Sequence, residues 1–443
     1  MKINFLSEPI IDRILVGLVI CTIVILHLTL GTRFPSAGTD EGYFLFPSIA
    51  FADNFEFYTR SLLSHADPMW MPPGYYVTIG SILRLLDPFA LSPLLVARLF
   101  SLGSMIVAVV CLFKIFRLIN LSSATSILFI SLTTLLPPVF CIANLARMEA
   151  LFLMLTCLSL LQFFREKFWN WFGIIAFTPL IHPNGFMLAC AALPTAILLV
   201  REKALKWSRA GTFWTLGIIV FWSAYLWYIG NDWDEFKLQM DVQLARKFGR
   251  SFFSSITAPS NIAAFALWCV WWLRCRMDKT KIMESLLSFE SLLMLAMILT
   301  FVVGMEMWYR SLWCLGVSYL SACLFDRWKS KAHDSAVRWM ALVVIVIGPF
   351  LFIELPWTWA GMHIERQSKL VYVRNEICPE LDASFSNKSK KVLVSVYSQK
   401  DTVLLLECTP TRNSRKNSGW TPYMPIIGDK PLPDEKLFRI SIK

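Results

Sequence analysis

Eleven apolar runs follow one another along the chain, at about 14–30, 94–113, 123–143, 147–164, 171–182, 185–200, 212–230, 260–273, 285–303, 311–325 and 338–353. A helix that crosses a bilayer needs roughly 20 predominantly apolar residues, and most of these runs come close to that. The Lys and Arg between the runs set an orientation. With the N-terminus cytoplasmic, the inner loops hold Lys114 and Arg117, Arg165 and Lys167, and then the clusters 201–209, 274–281 and 327–338. The inner side then carries 18 Lys and Arg and the outer side 10, although the outer loops are longer and include the 63 residues 31–93. An odd number of spans leaves the tail, 354–443, outside.

The stretch 171–200 decides this topology. As one long helix it would invert everything downstream and put the basic clusters 274–281 and 327–338 outside. As a short hairpin turning at His182-Pro183-Asn184-Gly185 it keeps them inside, and that tip is polar and helix-breaking. Such a tip must line protein or water, because bare backbone is not tolerated in lipid. The first run has Asp12 and Arg13 before it and no small-residue cleavage site after it, so it reads as a retained span. In the tail, short β-like runs at 391–398, 402–407 and 437–442 are split by Pro, Asn, Asp and Gly and read as strands. The expected architecture is an all-α polytopic membrane module over 1–353, with about 11 transmembrane helices and interfacial helices in the first outer loop 31–93. A small extracytoplasmic α+β or β-rich domain, 354–443, follows. No internal repeat is visible.

Composition narrows the classes. The 443 residues are 56% hydrophobic and 16% charged, with a mean hydropathy of +0.56, whereas soluble domains carry about 25% charged residues. That composition argues against a soluble enzyme, a disordered chain and a coiled coil. The net charge of +11 belongs to loop Lys and Arg, and no helical or finger motif points to nucleic acid. The 11 Cys include no CxxC pair, and no His is spaced for zinc, so no metal site is expected. Cys378 and Cys408 are free to pair in an oxidising compartment.

Four places on the outer side hold candidate chemistry. Asp40 and Glu41, in Thr39-Asp40-Glu41-Gly42-Tyr43, precede an apolar stretch that suits a helix lying in the interface. A carboxylate there suits a general base for a hydroxyl, and it equally suits a helix N-terminus capped by Thr39. Met71-Pro72-Pro73-Gly74-Tyr75-Tyr76 opens a second interfacial helix, where Tyr75 and Tyr76 are either belt anchors or substrate contacts. Arg98 starts the next span, as a snorkelling cation or a phosphate ligand. Arg147 and Glu149, after Pro137-Pro138, form either a structural pair or part of a site. His182, with Asn184 at the hairpin tip, suits a turn residue, a proton carrier or a phosphate donor. Arg310, after Trp308-Tyr309, snorkels or binds an anion. All four places share one face under a topology taken from Lys and Arg alone. A base beside several cations at a membrane surface suits group transfer from a lipid phosphate.

The order of these motifs resembles the GT-C membrane glycosyltransferases, in particular the branch with lipid A aminoarabinose transferases and protein O-mannosyltransferases. The likeness covers about residues 10–200. It runs from the acidic pair Asp40-Glu41 through Pro72-Pro73-x-Tyr75-Tyr76 and Ala97-Arg98-Leu99 to Arg147-x-Glu149 and the tip His182 to Gly185. Beyond residue 200 it is architectural only. The resemblance implies a polyprenyl-phosphate sugar donor and a lipid, glycan or protein acceptor. It also implies inversion at the anomeric carbon on the periplasmic face of a bacterial inner membrane. Asp40 then looks like the base, Glu41 and Glu149 like orienting groups, and Arg147 like a neighbour of the catalytic carboxylate or a phosphate contact.

One position departs from that pattern. Relatives often carry Lys just before the Pro pair, and here it is Met71. Arg98, Arg310 or His182 would have to serve the phosphate instead. The acidic residues suit a divalent cation too, though nothing in the sequence requires one. Two other readings stay open: a transporter or flippase of a lipid-linked saccharide, which would carry mid-span charge and a repeat, and an inactive membrane assembly partner.

Overall fold

The computed structural model describes residues 10–30, parts of 44–55, 71–89, 93–202, 207–248, 258–277, 282–303, 310–329, 333–354 and three strands in the tail. Asp40, Glu41, Trp308, Tyr309, Cys378 and Cys408 lie outside the described residues. The helices in chain order are α1 (Ile10–Leu30), α2 (Gly74–Leu85), α3 (Pro93–Leu118), α4 (Ser123–Leu135), α5 (Pro137–Ala143), α6 (Met148–Phe164), α7 (Phe168–Ile181) and α8 (Gly185–Arg201). Then come α9 (Arg209–Gly230), α10 (Trp233–Phe248), α11 (Pro259–Trp271), α12 (Ile282–Leu286), α13 (Phe289–Val303), α14 (Arg310–Trp328) and α15 (Asp334–Glu354). The fold is mostly helical. Among the described residues, α3 and α9 are the helices both long and apolar enough to cross a membrane. The chain divides into two compact units: 1–26, 103–143 and 149–355 form one, and 27–102, 144–148 and 356–443 the other.

In the larger unit, local sequence sets most helix ends. Ser122 caps α4 by accepting the amide of Thr125, and Asp326 of α14 accepts both the Ser122 amide and the Thr125 hydroxyl. A carboxylate there favours the positive end of the helix. The apolar run 123–143 is not one helix: Leu136 is extended, and Pro137-Pro138 begins the separate α5. Proline cannot donate to the preceding turn, so the helix stops and restarts. Ser126, Ser131 and Thr133 of α4 return their hydroxyls to carbonyls four residues earlier, which lets polar side chains be buried on an apolar helix.

The hairpin read from 171–200 is present as α7 and α8. Its turn is tight because Gly185 approaches the end of α7; a Cβ there would lie 2.3 Å from the Pro179 nitrogen. Any other residue must push the two arms apart. The run 285–303 is split into α12 and α13, and α11 ends in a π-helical turn, Trp272–Arg276. Arg338 at the start of α15 reaches Asp12 of α1, with Nε to Oδ1 at 2.9 Å. The polar helix α10 had no counterpart among the apolar runs.

In the smaller unit, helical residues 44–45, 47–49 and 51–52 pack on α2. The contact closes at Gly80, where a Cβ would meet the Ser48 carbonyl oxygen at 2.6 Å. Three strands, β1 (Val392–Tyr397), β2 (Val403–Glu407) and β3 (Lys436–Ser441), form a sheet in the order β2-β1-β3. β1 runs antiparallel to β2 and parallel to β3, with Leu393 opposite Glu407 and Leu437.

Candidate functional site

The smaller unit gathers three motifs that are far apart in sequence. Arg147 lies in the turn 144–148, and its guanidinium carbon stands 4.9 Å from the centre of the Phe44 ring. Such a cation over a ring face is attracted by its quadrupole, by about 0.5–2 kcal/mol depending on desolvation. Phe44 follows the Asp40-Glu41 pair by three residues. Its ring also meets Tyr75 edge-on at 5.9 Å and Tyr76 at 6.5 Å. Phe44, Tyr75, Tyr76 and Arg147 are all buried. Phe44 is therefore a hub where the Pro-Pro-x-Tyr-Tyr segment and Arg147 meet.

Arg98 belongs to the same unit. It is buried on α3, one turn before Ser101, whose hydroxyl donates to the Leu145 carbonyl at 2.6 Å and to the Ala97 carbonyl at 3.2 Å. Ser101 thus pins the turn that carries Arg147, and the Arg147 amide closes it on Leu145 at 2.9 Å. Arg98 and Ser101 share a helix face at the spacing i, i+3. Met71, the position that departs from the family pattern, is also buried here.

The larger unit holds the other part. Glu149 is buried in the first turn of α6. One turn later Phe152 stacks on the His182 ring, with centroids 4.8 Å apart and planes 16° apart. The His182 Nδ1 accepts the Asn184 amide at 3.0 Å. That nitrogen carries no proton, so in the neutral ring the proton is on Nε2, which is then a donor. The hairpin tip is held by the His182 amide on Thr178 and the Gly185 amide on His182. Arg310 begins α14 and is exposed. Among the described residues, no group of three His, Cys, Asp or Glu is placed to hold a metal.

Sequence reasoning missed a third cluster. Glu290, buried in the first turn of α13, accepts Arg276 Nη2 at 2.6 Å and the Tyr319 hydroxyl. The Arg276 guanidinium also faces Phe164 and Trp271. Burial opposes the charge on Arg276, but Glu290 and Tyr319 outweigh it, and its pKa lies above the ordinary value. A lone carboxylate in an apolar run was the signal that could have marked Glu290.

Two signals for the first cluster were legible as motifs, but not the residue that joins them: Phe44 reads in sequence as one more interfacial aromatic. Comparison of the chain with models of protein families, with curated proteins and with solved structures found no match.

Proposed function

We propose that the chain is a multi-pass membrane enzyme that moves a sugar from a polyprenyl phosphate to an acceptor hydroxyl on the extracytoplasmic side. The observation that carries this reading is the Arg147–Phe44 contact with Tyr75 and Tyr76 around it. It ties a buried cation to the segment that holds the acidic pair. Base and phosphate cation are the two groups such a transfer needs.

The membrane part of the reading rests on an inverted distribution of polarity. Phe213 and Trp227 of α9 are 70% and 71% exposed, and Leu216, Ile219 and Val220 are also exposed. Phe186, Leu193, Ile197 and Val200 form an exposed apolar ridge along α8, while Ser123, Thr125, Ser126 and Ser131 are buried. Soluble monomers rarely expose apolar patches of this extent. The 22 residues of α9 span about 33 Å, close to the ~30 Å hydrocarbon core. Orientation by Lys and Arg puts 31–93, the turn before Arg147 and the tail on one side, and 27–102, 144–148 and 356–443 share one compact unit.

In the reaction, the bond from the anomeric carbon to the phosphate oxygen breaks and the acceptor oxygen bonds to that carbon from the opposite face. The acceptor proton passes to the Asp40 carboxylate. The polyprenyl phosphate leaves as an anion, so it needs positive charge and no added proton. Arg147 and Arg98, buried cations among the described residues of the smaller unit, supply it. Glu41 orients the acceptor, and Tyr75 and Tyr76 line its approach. An aspartate is a weak base and acts late, as charge develops on the sugar.

The test is incubation of purified protein with polyprenyl-phosphate sugars, followed by mass spectrometry of the released lipid phosphate. Asp40→Asn should abolish release while the protein inserts and folds normally. Full release from that variant removes Asp40 as base. No release from any donor by the wild-type protein removes the transferase reading.

A further inference from the structure

The end of the larger unit that Lys and Arg orient inward carries more positive charge than its carboxylates take up. There α11 runs into the π-helical turn Trp272–Arg276, which closes where the Met277 amide donates to the Trp272 carbonyl at 2.8 Å. Single π-helical turns recur at functional sites. This one carries Arg274 and Arg276 on either side of Cys275. Arg327, near the end of α14, reaches the Cys275 thiol. Three guanidiniums from two helices therefore gather at one turn.

Their bonds leave charge to spare. Arg276 donates Nη2 to Glu290, and 32% of its side chain stays exposed. Arg274 and Arg327 are exposed, and among the described residues neither is paired with a carboxylate. Asp326, beside Arg327, is taken by the Ser122 amide, the Thr125 hydroxyl and Lys329. The linking stretch 277–284 holds Asp278, Lys279, Lys281 and Glu284, whose charges cancel. Three guanidiniums against the one carboxylate of Glu290 leave two positive charges at the turn. Apolar side chains flank them: Leu273 is 51% and Trp328 84% exposed.

We infer that this turn is a binding site for an anionic phospholipid of the inner leaflet, with the phosphate on Arg274 and Arg327 and the upper acyl carbons on Leu273 and Trp328. The planar fork of a guanidinium matches the oxygens of a phosphate. A basic site between helices on the cytoplasmic side takes an anionic headgroup, and an exposed tryptophan suits the boundary between headgroups and acyl chains. The uncompensated charge favours an anionic lipid over a zwitterionic one. The apolar neighbours favour a lipid over free phosphate. Arg276, tied to Glu290, adds charge and holds the turn in place. The inference rests on the membrane reading and its orientation, and not on sugar transfer.

The test measures phospholipid retained by the purified full chain, by native mass spectrometry from detergent micelles holding equal amounts of phosphatidylglycerol and phosphatidylethanolamine. Phosphatidylglycerol should be retained in preference. Arg274→Gln with Arg327→Gln should weaken its retention about 25-fold, roughly fivefold for each basic residue at an anionic lipid surface. Arg276 is kept, because it also holds Glu290. Arg201→Gln with Arg209→Gln removes two exposed cations of the same side and should leave retention unchanged. Millimolar inorganic phosphate should not displace the lipid. No loss in the first pair of variants, or an equal loss in both pairs, overturns the inference. Displacement by inorganic phosphate overturns the lipid as ligand. Equal retention of the two phospholipids overturns the inference and leaves the membrane reading standing. A wild-type protein that stays monodisperse without detergent and retains neither lipid removes the membrane reading and this inference together.

Discussion

Two arginines, Arg276 half-buried and Arg147 buried, stand in different surroundings. Arg276 is closed by a carboxylate and a phenol, with Glu290 accepting from both Arg276 and Tyr319. Arg147 stands over the ring of Phe44. The first arrangement brings opposite charges together across the end of α11, α13 and α14. The second sets a cation against a ring face, in the turn beside the segment that follows the acidic pair. An ion pair between helices is a fastening. Under the proposed function, the cation on the ring serves the leaving phosphate. The difference predicts that damage to the first cluster appears as lost stability and damage to the second as lost activity.

The largest effect follows from Glu290→Ala. It leaves Arg276, half-buried, without its carboxylate, and the cost lies toward the low end of the about 3–5 kcal/mol of a fully buried pair. Thermal unfolding in detergent should shift down sharply. The double variant Arg276→Met with Glu290→Leu should recover most of the loss, since removing both charges removes the desolvation penalty as well. A Glu290→Ala protein as stable as the wild type would contradict the fastening role. Next in size is Arg147→Ala. Loss of a cation aimed at a leaving phosphate should lower transfer about 10²–10³-fold, with a much smaller shift in unfolding temperature. Unchanged transfer would remove Arg147 from the phosphate.

How much of this was legible depends on the range of the forces involved. The hairpin tip was readable because Pro183 and Gly185 break helices locally, whatever surrounds them. The strands near 392, 403 and 436 were readable as short runs of β-forming residues bounded by Pro, Asn, Asp and Gly. The helix expected after the Pro72-Pro73-Gly74 start is present as α2. The stop at Leu136 was marked by Pro137-Pro138, whereas the restart as α5 was not, because residues 139–143 are as apolar as the run before them. The pairing of Arg276 with Glu290 was not readable: the partners sit on separate helices, and the third member is Tyr319, 29 residues further on. Nor was Phe44, since its role comes from meeting Arg147 about a hundred residues away, and one aromatic in an aromatic-rich loop carries no mark of that.

A smaller change sharpens the first cluster. Tyr319→Phe removes one of two donors to Glu290 and keeps the ring that packs on Phe116 and Trp271. A hydrogen bond to a charged group contributes about 1.5–3 kcal/mol. The unfolding temperature should fall by less than in Glu290→Ala, and transfer per folded molecule should stay at the wild-type level. A drop in transfer without a drop in stability would mean that this cluster belongs to the chemistry after all.

The smallest effect separates orientation from burial in the second cluster. Phe44→Leu keeps an apolar side chain at the hub and removes the ring, so it deletes the cation–ring attraction and the edge contact to Tyr75. The expected loss is about 0.5–2 kcal/mol, roughly two- to thirtyfold in kcat/KM. Phe44→Tyr and Phe44→Trp keep a ring face and should retain more activity than Phe44→Leu, even though each changes the volume. The decisive comparison is the double variant. If Phe44 acts by aiming Arg147, then Phe44→Leu has little further effect on transfer once Arg147 is alanine. If the two losses simply add, the ring contributes to packing alone, and the contrast between an aimed cation and a fastened one does not hold.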